Sequence, residues 1–286
     1  MKKAIVLAVM TALAAGCISR QARREKAIEY KSADTAALVA AYNDNASKIH
    51  TLRAHVEMTL YLTDKGRTKR HTVDAWLDVE KPGHIWLKHD SMGRDLFFVV
   101  SNGKEFWVAL DRSLTGDGDK VYTGEISALE NESILRPDRL LAAFSLATLP
   151  PEGTKATAVR SYNDRYVLTF LDGSEPPKVL GEATFSRADL KLSRFEAFDA
   201  EGRLALAVEY RALMDISGVE APAVVYVDWP LEGMAMLAKA RKAEIGVTFP
   251  AKLWEFRWRK DAEVIHVERG EAQEKTEPRP SEVLPQ

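Results

Sequence analysis

The chain has 286 residues, of which 46% are hydrophobic and 29% charged, and its formal net charge is −2. These values are ordinary for a globular protein, and they lack the basic excess that a nucleic-acid-binding face brings. A single cysteine excludes an intramolecular disulfide, so the domain must be stable through its core alone.

The N-terminal segment has the three parts of an export signal. Lys2 and Lys3 form a basic start, residues 4–13 form an apolar run, and small residues occupy positions 14–16. The apolar run is shorter than the roughly 20 residues that a membrane-spanning helix needs. We therefore interpret residues 1–16 as a cleaved signal peptide.

Cys17 follows this segment directly, and Leu13-Ala14-Ala15-Gly16-Cys17 resembles the bacterial lipobox. The resemblance implies lipidation of Cys17, cleavage before it and acylation of the new amino terminus, with residues 17–33 as a tether. Ile18 stands where an aspartate favours the inner membrane in enteric bacteria, so we expect the outer membrane, facing the periplasm. The alternative is an ordinary secretory signal that a cysteine follows by chance.

The folded domain is predicted to start with a helix over residues 34–52, because Asp34 can cap it and apolar residues recur at helical spacing. From residue 52 apolar and polar residues alternate, as in a strand with one buried face. Asn102-Gly103 is a strong hairpin signal. The predicted strands of this half are 52–62, 72–79, 85–88, 95–101 and 105–110.

The second half continues the β pattern between two predicted helices. Residues 136–146 predict a short helix, and residues 231–245 predict a late one because their apolar residues fall on one side. Residues 271–286 are proline-rich and polar and predict a disordered tail. The predicted strands of this half are 166–171, 182–186, 192–199, 203–211, 223–229, 253–258 and 264–267.

Two central segments carry a family resemblance. Residues 76–87 (WLDVEKPGHIWL) and 97–108 (FFVVSNGKEFWV) resemble the lipoprotein carrier family LolA/LolB, in which a basic residue precedes a proline between two strands. The resemblance covers about the first half of the mature chain. It implies a mainly β (α+β) fold over residues 34–270, an open antiparallel half-barrel with helices covering the concave face. Lys81 stands where the soluble carrier has an arginine, which implies a gating role for Lys81.

The resemblance also implies that acyl chains of lipoproteins or similar lipids bind inside the half-barrel. Such a cavity needs a wide apolar lining. The alternative is that the same residues fill a core, because a sequence pattern indicates burial and not empty space. The predicted lining residues are Val56, Met58, Leu60, Trp76, Trp86, Leu87, Phe97, Val99, Phe106, Val108, Phe144 and Phe170, with Phe195 and Phe198 as further candidates.

No catalytic motif stands out, since the sequence has no Gly-x-Ser-x-Gly elbow and no phosphate-binding loop. His84 and His89 lack metal-ligand spacing, and residues 111–120 lack the closing glutamate of a calcium loop. We therefore expect no enzymatic activity, no metal and no cofactor. Two functions remain: an anchored lipoprotein that binds acyl chains or lipoproteins, and a structural envelope lipoprotein that presents its sheet to a protein partner.

Overall fold

The computed structural model describes residues 29–64, 66–89, 97–110, 120–128, 137–255 and 262–267. The predicted signal peptide, Cys17, most of the tether and the predicted tail lie outside these residues, as do residues 111–119. The helices of the described part are α1 (Thr35–Ser47) and α2 (Pro137–Ala143), with short 3₁₀ helices at Ile126–Ala128, Pro230–Glu232 and Ala251–Trp254.

The strands of the described part number fourteen. They are β1 (Thr51–Asp64), β2 (Arg67–Glu80), β3 (His84–His89), β4 (Phe97–Asn102), β5 (Glu105–Leu110), β6 (Lys120–Glu125), β7 (Ala156–Ser161), β8 (Arg165–Leu171), β9 (Val179–Ser186), β10 (Leu192–Phe198), β11 (Leu204–Ile216), β12 (Val219–Trp229), β13 (Met234–Ile245) and β14 (Glu263–His266).

All these strands belong to one sheet, in the order β14-β6-β5-β4-β3-β2-β1-β13-β12-β11-β10-β9-β8-β7. Neighbouring strands are antiparallel, except that β14 runs parallel to β6. The pairing of β1 with β13 joins the two halves of the chain, and it places Met58 opposite Ala238. The predicted mainly β fold with one large antiparallel sheet is confirmed, apart from the parallel pair at one edge.

Helix α1 begins where the sequence predicts. The Ala37 amide donates to Oδ1 of Asp34 at 2.7 Å, so Asp34 caps the helix as expected. The helix ends at Ser47 rather than at residue 52, because Leu52 already pairs with Val79 as part of β1. Leu38 is fully buried and anchors the helix against the sheet.

The helix predicted over residues 231–245 is wrong, because Met234–Ile245 forms β13. Alanine, methionine and lysine favour a helix locally, which explains the error. In the sheet, however, β13 pairs with β1 on one side and with β12 on the other, so its backbone groups are satisfied along both edges. Its burial follows the two-residue period of a strand around Met236 and Ala238.

The strand predicted over residues 253–258 is also wrong in its described part. Trp254 lies in the 3₁₀ helix Ala251–Trp254, whereas Phe256 and Trp258 lie outside the described residues. The Trp254 ring lies 5.2 Å from the His84 ring and 5.4 Å from the Phe249 ring, between ring centroids. Trp254 therefore does not lie on the face of a strand.

The two faces of the sheet differ in chemistry. The face that carries Val56 and Met58, here called the apolar face, contributes to one buried cluster that reaches from β4 to β8 along the sheet. Leu38 of α1 and Leu141 of α2 belong to the same cluster. The opposite face carries ion pairs, among them Arg53–Asp78, Arg241–Glu57 and Arg194–Glu209.

Asp78 is the buried charge of that opposite face, with 3% of its surface exposed. Nε and Nη2 of Arg53 donate to its two carboxylate oxygens, each at 2.8 Å. The Arg53 side chain is itself 39% exposed, so water screens part of this interaction. Removing the guanidinium nevertheless leaves a buried carboxylate without its two donors, and an uncompensated buried charge destabilises the folded state.

We expect Arg53→Ala to lower the free energy of unfolding by about 2 kcal/mol, as measured by urea unfolding of the full chain. Arg165→Ala is the matched control, because its partner Asp164 is 58% exposed. That variant should lose no more than about 0.5 kcal/mol. Equal losses in the two variants would show that the burial of Asp78 is not what makes Arg53 important.

Candidate functional site

The apolar face brings together most of the predicted lining residues. Val56, Met58, Leu87, Phe97 and Phe170 are buried in its main cluster, and Leu60 and Val99 pack against that cluster. Phe144, which follows α2, and Phe195 of β10 belong to it as well. Phe106 and Val108 share the same face but form a separate small cluster with Tyr122 and Val267.

Trp76 and Trp86 are not part of this surface. Trp76 pairs with His55 across the strands, with ring centroids 4.9 Å apart, and Trp86 packs edge-on against Phe98 at 5.7 Å. Both side chains therefore lie on the opposite face of the sheet. Both tryptophans were predicted to line the cavity, but alternation places Leu77 and Ile85 on the apolar face instead.

Several residues of the apolar face were missed at the sequence level. Alternation along β2 is the signal that finds Val73, Ala75, Leu77 and Val79, all buried there. The second half contributes further buried residues, whose faces depend on bulges that the sequence does not reveal. They include Leu168, Phe185, Leu206, Val208, Tyr210, Val225, Val227, Trp229 and Met236.

The segment Pro137–Leu149, here called the α2 segment, lies against this face. Helix α2 ends at Ala143, and Ser145, two residues later, has a left-handed φ of 57°. The Ser145 amide donates to the Ala142 carbonyl at 3.1 Å, and the Leu146 amide donates to the Leu141 carbonyl at 2.8 Å. This turn closes the helix as a left-handed C-terminal residue does. The buried apolar residues of the α2 segment are Leu140, Leu141, Ala143, Phe144, Leu146 and Leu149.

Side chains of α1 and β11 hold the backbone of the α2 segment. Tyr42 Oη donates to the Ala147 carbonyl at 3.0 Å, and Tyr210 Oη donates to the Ala142 carbonyl at 2.7 Å. The Asn43 amide nitrogen donates to the Leu149 carbonyl at 2.5 Å, and the Leu149 amide donates back to Asn43 Oδ1 at 2.9 Å. The α2 segment is thus held through its peptide groups as well as through apolar contacts.

The two phenols are in a low-dielectric environment. Burial raises the pKa of Tyr42, and a hydrogen bond that its oxygen accepts from the Ser145 side chain opposes the rise. Burial also raises the pKa of Tyr210 well above its ordinary value, reinforced by the nearby Tyr42. Both phenols therefore stay protonated and neutral at any physiological pH, and both remain hydrogen-bond donors.

The space between the α2 segment and the sheet is nearly filled. A cavity of about 20 Å³ lies there, lined by Val56, Leu77, Phe144 and several alanines of β12 and β13. This volume accommodates about one water molecule, whereas pockets for small ligands measure roughly 300–1,000 Å³. In this conformation an acyl chain fits only after the side chains that cover the apolar face have moved.

Lys81 holds the end of α1 rather than the α2 segment. Its Nζ donates to the Ala46 carbonyl at 2.8 Å, and its backbone amide donates to the His50 carbonyl at 2.9 Å. Burial lowers the pKa of the Lys81 ammonium. A cation at a helix C-terminus also favours the partial negative charge of the last carbonyl groups. The position implied to be a gate therefore contacts the first helix of the domain.

Other parts of the described surface give less indication of a binding site than the apolar face does. A shallow groove of about 540 Å³ contains Phe198, Arg160 and Lys178, but Arg160 pairs with Glu182 and Lys178 donates to the Ala200 carbonyl. Among the described residues no group of three or more His, Cys, Asp or Glu side chains is arranged to hold a metal ion. Nor does that part of the chain contain a helix long and apolar enough to cross a membrane.

No protein-family model matches the sequence, and no curated protein matches it either. The solved structures that are similar include a DUF1329 family protein from Desulfovibrio piger, with 16% identity and a TM-score of 0.47 over 76% of this chain and 97% of that chain. A LolA superfamily protein from Nitrosomonas europaea has 12% identity and a TM-score of 0.49 over 76% of this chain and 97% of that chain. A putative outer membrane lipoprotein-sorting protein domain from Vibrio parahaemolyticus has 12% identity and a TM-score of 0.44 over 76% of this chain and 94% of that chain.

Of these three, one is a LolA superfamily protein and another a lipoprotein-sorting domain. The similarity covers 76% of this chain in both. Identities of this size and TM-scores below 0.5 do not extend the likeness to function.

We expect Lys81→Met to lower the free energy of unfolding by about 1 kcal/mol, because the buried Ala46 carbonyl loses one of its donors. Hydrogen exchange should become faster at the Ile49 amide, which also donates to Ala46, and stay unchanged at the Leu146 amide of the α2 segment. Lys48→Met is the control, since Lys48 pairs with exposed Asp44. Faster exchange at Leu146 would instead assign Lys81 to gating of the α2 segment.

Proposed function

We propose that this protein is a membrane-anchored lipoprotein that binds acyl chains or lipoproteins in lipoprotein or lipid trafficking within the cell envelope. The ligand lies between the apolar face and the helices that cover it, and the protein faces the periplasm from the outer membrane. The supporting observation is the breadth of the apolar face, which reaches from β4 to β8 and packs against α1 and α2 in the described residues.

The contacts of α2 support a sheet that curves around it. Helix α2 contacts β4, and its Ala142 carbonyl accepts a hydrogen bond from Tyr210 of β11. Six strand spacings separate β4 from β11 in the sheet, which is about 29 Å in a flat sheet. A helix of seven residues is only about 10 Å long. A half-barrel with its concave face toward the helices accounts for both contacts.

Entry of an acyl chain requires the α2 segment to move, because the cavity beneath it holds about one water molecule. The helix within this segment has seven residues, which is too short to be stable without tertiary contacts. An acyl chain that replaces Leu141 and Phe144 against the sheet restores the apolar contacts that the movement breaks. We therefore assign the α2 segment as the movable cover.

The nearly filled apolar face also suits a second candidate, a structural envelope lipoprotein that binds a protein partner. The edge strand β7 supports this reading, because all six of its residues are exposed and Val159 is 50% exposed. An open strand edge accepts a further strand through main-chain hydrogen bonds. The two candidates differ in what occupies the protein: a lipid in the first and a protein partner in the second.

The first described residues indicate where the tether leaves the domain. The Lys31 amide donates to the Arg187 carbonyl at 2.8 Å, the Ala33 amide donates to Tyr166 Oη at 3.2 Å, and the Arg187 guanidinium lies over the Tyr30 ring at 6.0 Å. Residues 18–29 remain between this point and Cys17, and they span at most about 40 Å. The proposed anchor thus keeps this end of the domain near the membrane.

Lipidation predicts where the protein is found. After fractionation of bacteria that express the full chain, the wild-type protein should be in the membrane fraction, since several acyl chains anchor stably. The Cys17→Ser variant should move to the soluble periplasmic fraction, while Ser19→Ala, a control in the same segment, should stay with the membrane. Membrane association that persists in Cys17→Ser would contradict lipid anchoring through this residue.

Lipid binding predicts a bound mass. Native mass spectrometry of the full chain with Cys17→Ser, isolated without detergent, should show a bound lipid or acylated peptide. Adding Ala238→Phe, which fills the apolar face under Phe144, should lower the bound fraction at least fivefold. Lys239→Phe, exposed on the opposite face, should not. A mass without lipid in all three proteins, with a co-purifying envelope protein, would favour the second candidate.

A further inference from the structure

Three hydroxyl groups meet within the otherwise apolar contact between the α2 segment and the domain. Tyr42 comes from α1, Tyr210 from β11 and Ser145 from the turn after α2. The Ser145 side chain lies close to both phenols and opposes the rise in the pKa of each. Buried polar groups are costly unless they are hydrogen-bonded, so this cluster needs partners in every state of the protein.

In the closed state the partners are peptide carbonyl groups of the movable cover. Tyr210 Oη donates to the Ala142 carbonyl at 2.7 Å, and Tyr42 Oη donates to the Ala147 carbonyl at 3.0 Å. Both acceptors belong to the α2 segment, so its departure removes both at once. The phenols remain on α1 and β11 and then face the space that the segment has left.

We infer that Tyr42 and Tyr210 bind the carbonyl group of an acyl ester or amide, which takes the place of the Ala142 and Ala147 carbonyls when the α2 segment moves away. This inference rests on the proposed function and names the chemical class of its ligand. An acyl ester or amide presents the same planar carbonyl acceptor as a peptide bond, so the donors exchange one acceptor for another.

The exchange discriminates between ligands with the same hydrocarbon chain. A bound chain excludes water from the apolar face, so a ligand without a carbonyl leaves the two phenols without a strong acceptor. A site built to hydrogen-bond a polar group rejects an analogue that lacks it, because its own buried groups are then unpaired. The neutral state of both phenols fits a neutral acceptor, and the burial that raises the pKa of each maintains that state.

The test compares two lysophosphatidylcholines with the same sixteen-carbon chain, one joined to glycerol by an ester and the other by an ether. Dissociation constants are measured by calorimetry on the full chain with Cys17→Ser. We expect the ester to bind about tenfold more tightly. In Tyr210→Phe, which keeps the ring and removes the hydroxyl, the preference should fall to about twofold or less, and Tyr42→Phe should show the same direction.

Tyr226→Phe is the matched control, because Tyr226 pairs with Glu209 on the opposite face of the sheet. Its preference for the ester should remain about tenfold. Hydrogen exchange gives an independent readout: the Leu146 and Leu149 amides, which are bonded in the closed state, should lose protection when the ester binds. Retained protection at these amides in the ligand-saturated protein would overturn the inference.

Two further outcomes separate this inference from the proposed function. The inference is wrong if the wild-type chain binds ester and ether with equal affinity, or if Tyr210→Phe raises the affinity for both by the same factor. In either case the phenols only hold the α2 segment in place, and the proposal of acyl binding stands. If the wild-type chain binds neither probe, the proposed function fails as well. Tighter binding of an N-palmitoyl peptide than of the ester would identify a lipoprotein rather than a phospholipid as the source of the carbonyl.

Discussion

The pairing of β1 with β13 is the interaction on which the rest of the structure depends. It joins strands from the two halves of the chain, so that all the described strands form one sheet, with an apolar face whose main cluster reaches from β4 to β8. The same pairing sets Met58 opposite Ala238 and Val56 opposite Ala240. Small residues on β13 leave the little space that exists beneath Phe144. The junction of the halves is therefore also the floor of the candidate site.

A single sheet must bury its apolar face against something other than a second sheet, and residues of α1 and α2 belong to the buried cluster on this face. Magnitudes agree with the proposed exchange of the α2 segment for a ligand. The buried side chains of Leu140, Leu141, Phe144, Leu146 and Leu149 contribute roughly 1.5–3 kcal/mol each, or about 8–15 kcal/mol together. A sixteen-carbon acyl chain at about 0.8 kcal/mol per methylene contributes about 12 kcal/mol. The two free energies are similar, so either the α2 segment or an acyl chain can cover the sheet.

Alternation along β1 and the Asn102-Gly103 turn made the first half of the fold predictable, because one solvated and one buried face leave a clear two-residue pattern. The sequence pattern predicted a helix over residues 231–245, but strand partners on both sides override their local helix preference. Trp76 and Trp86 were predicted to line the cavity, although alternation places them on the other face. The contacts of Lys81 and Tyr210 join residues far apart in the chain, which no local pattern reveals.

A filled apolar face suits both a carrier in its closed state and a protein that never opens, so apolar contacts alone do not separate the two functions. The polar contacts support the proposed carrier. A permanent cover needs nothing beyond apolar packing, whereas the two buried phenols add a desolvation cost that their two hydrogen bonds to the α2 segment must offset. Donors fixed on α1 and β11, with acceptors on the segment that covers the site, give a cover that a ligand with its own carbonyl can replace. The chemistry of Tyr42 and Tyr210 thus favours the carrier.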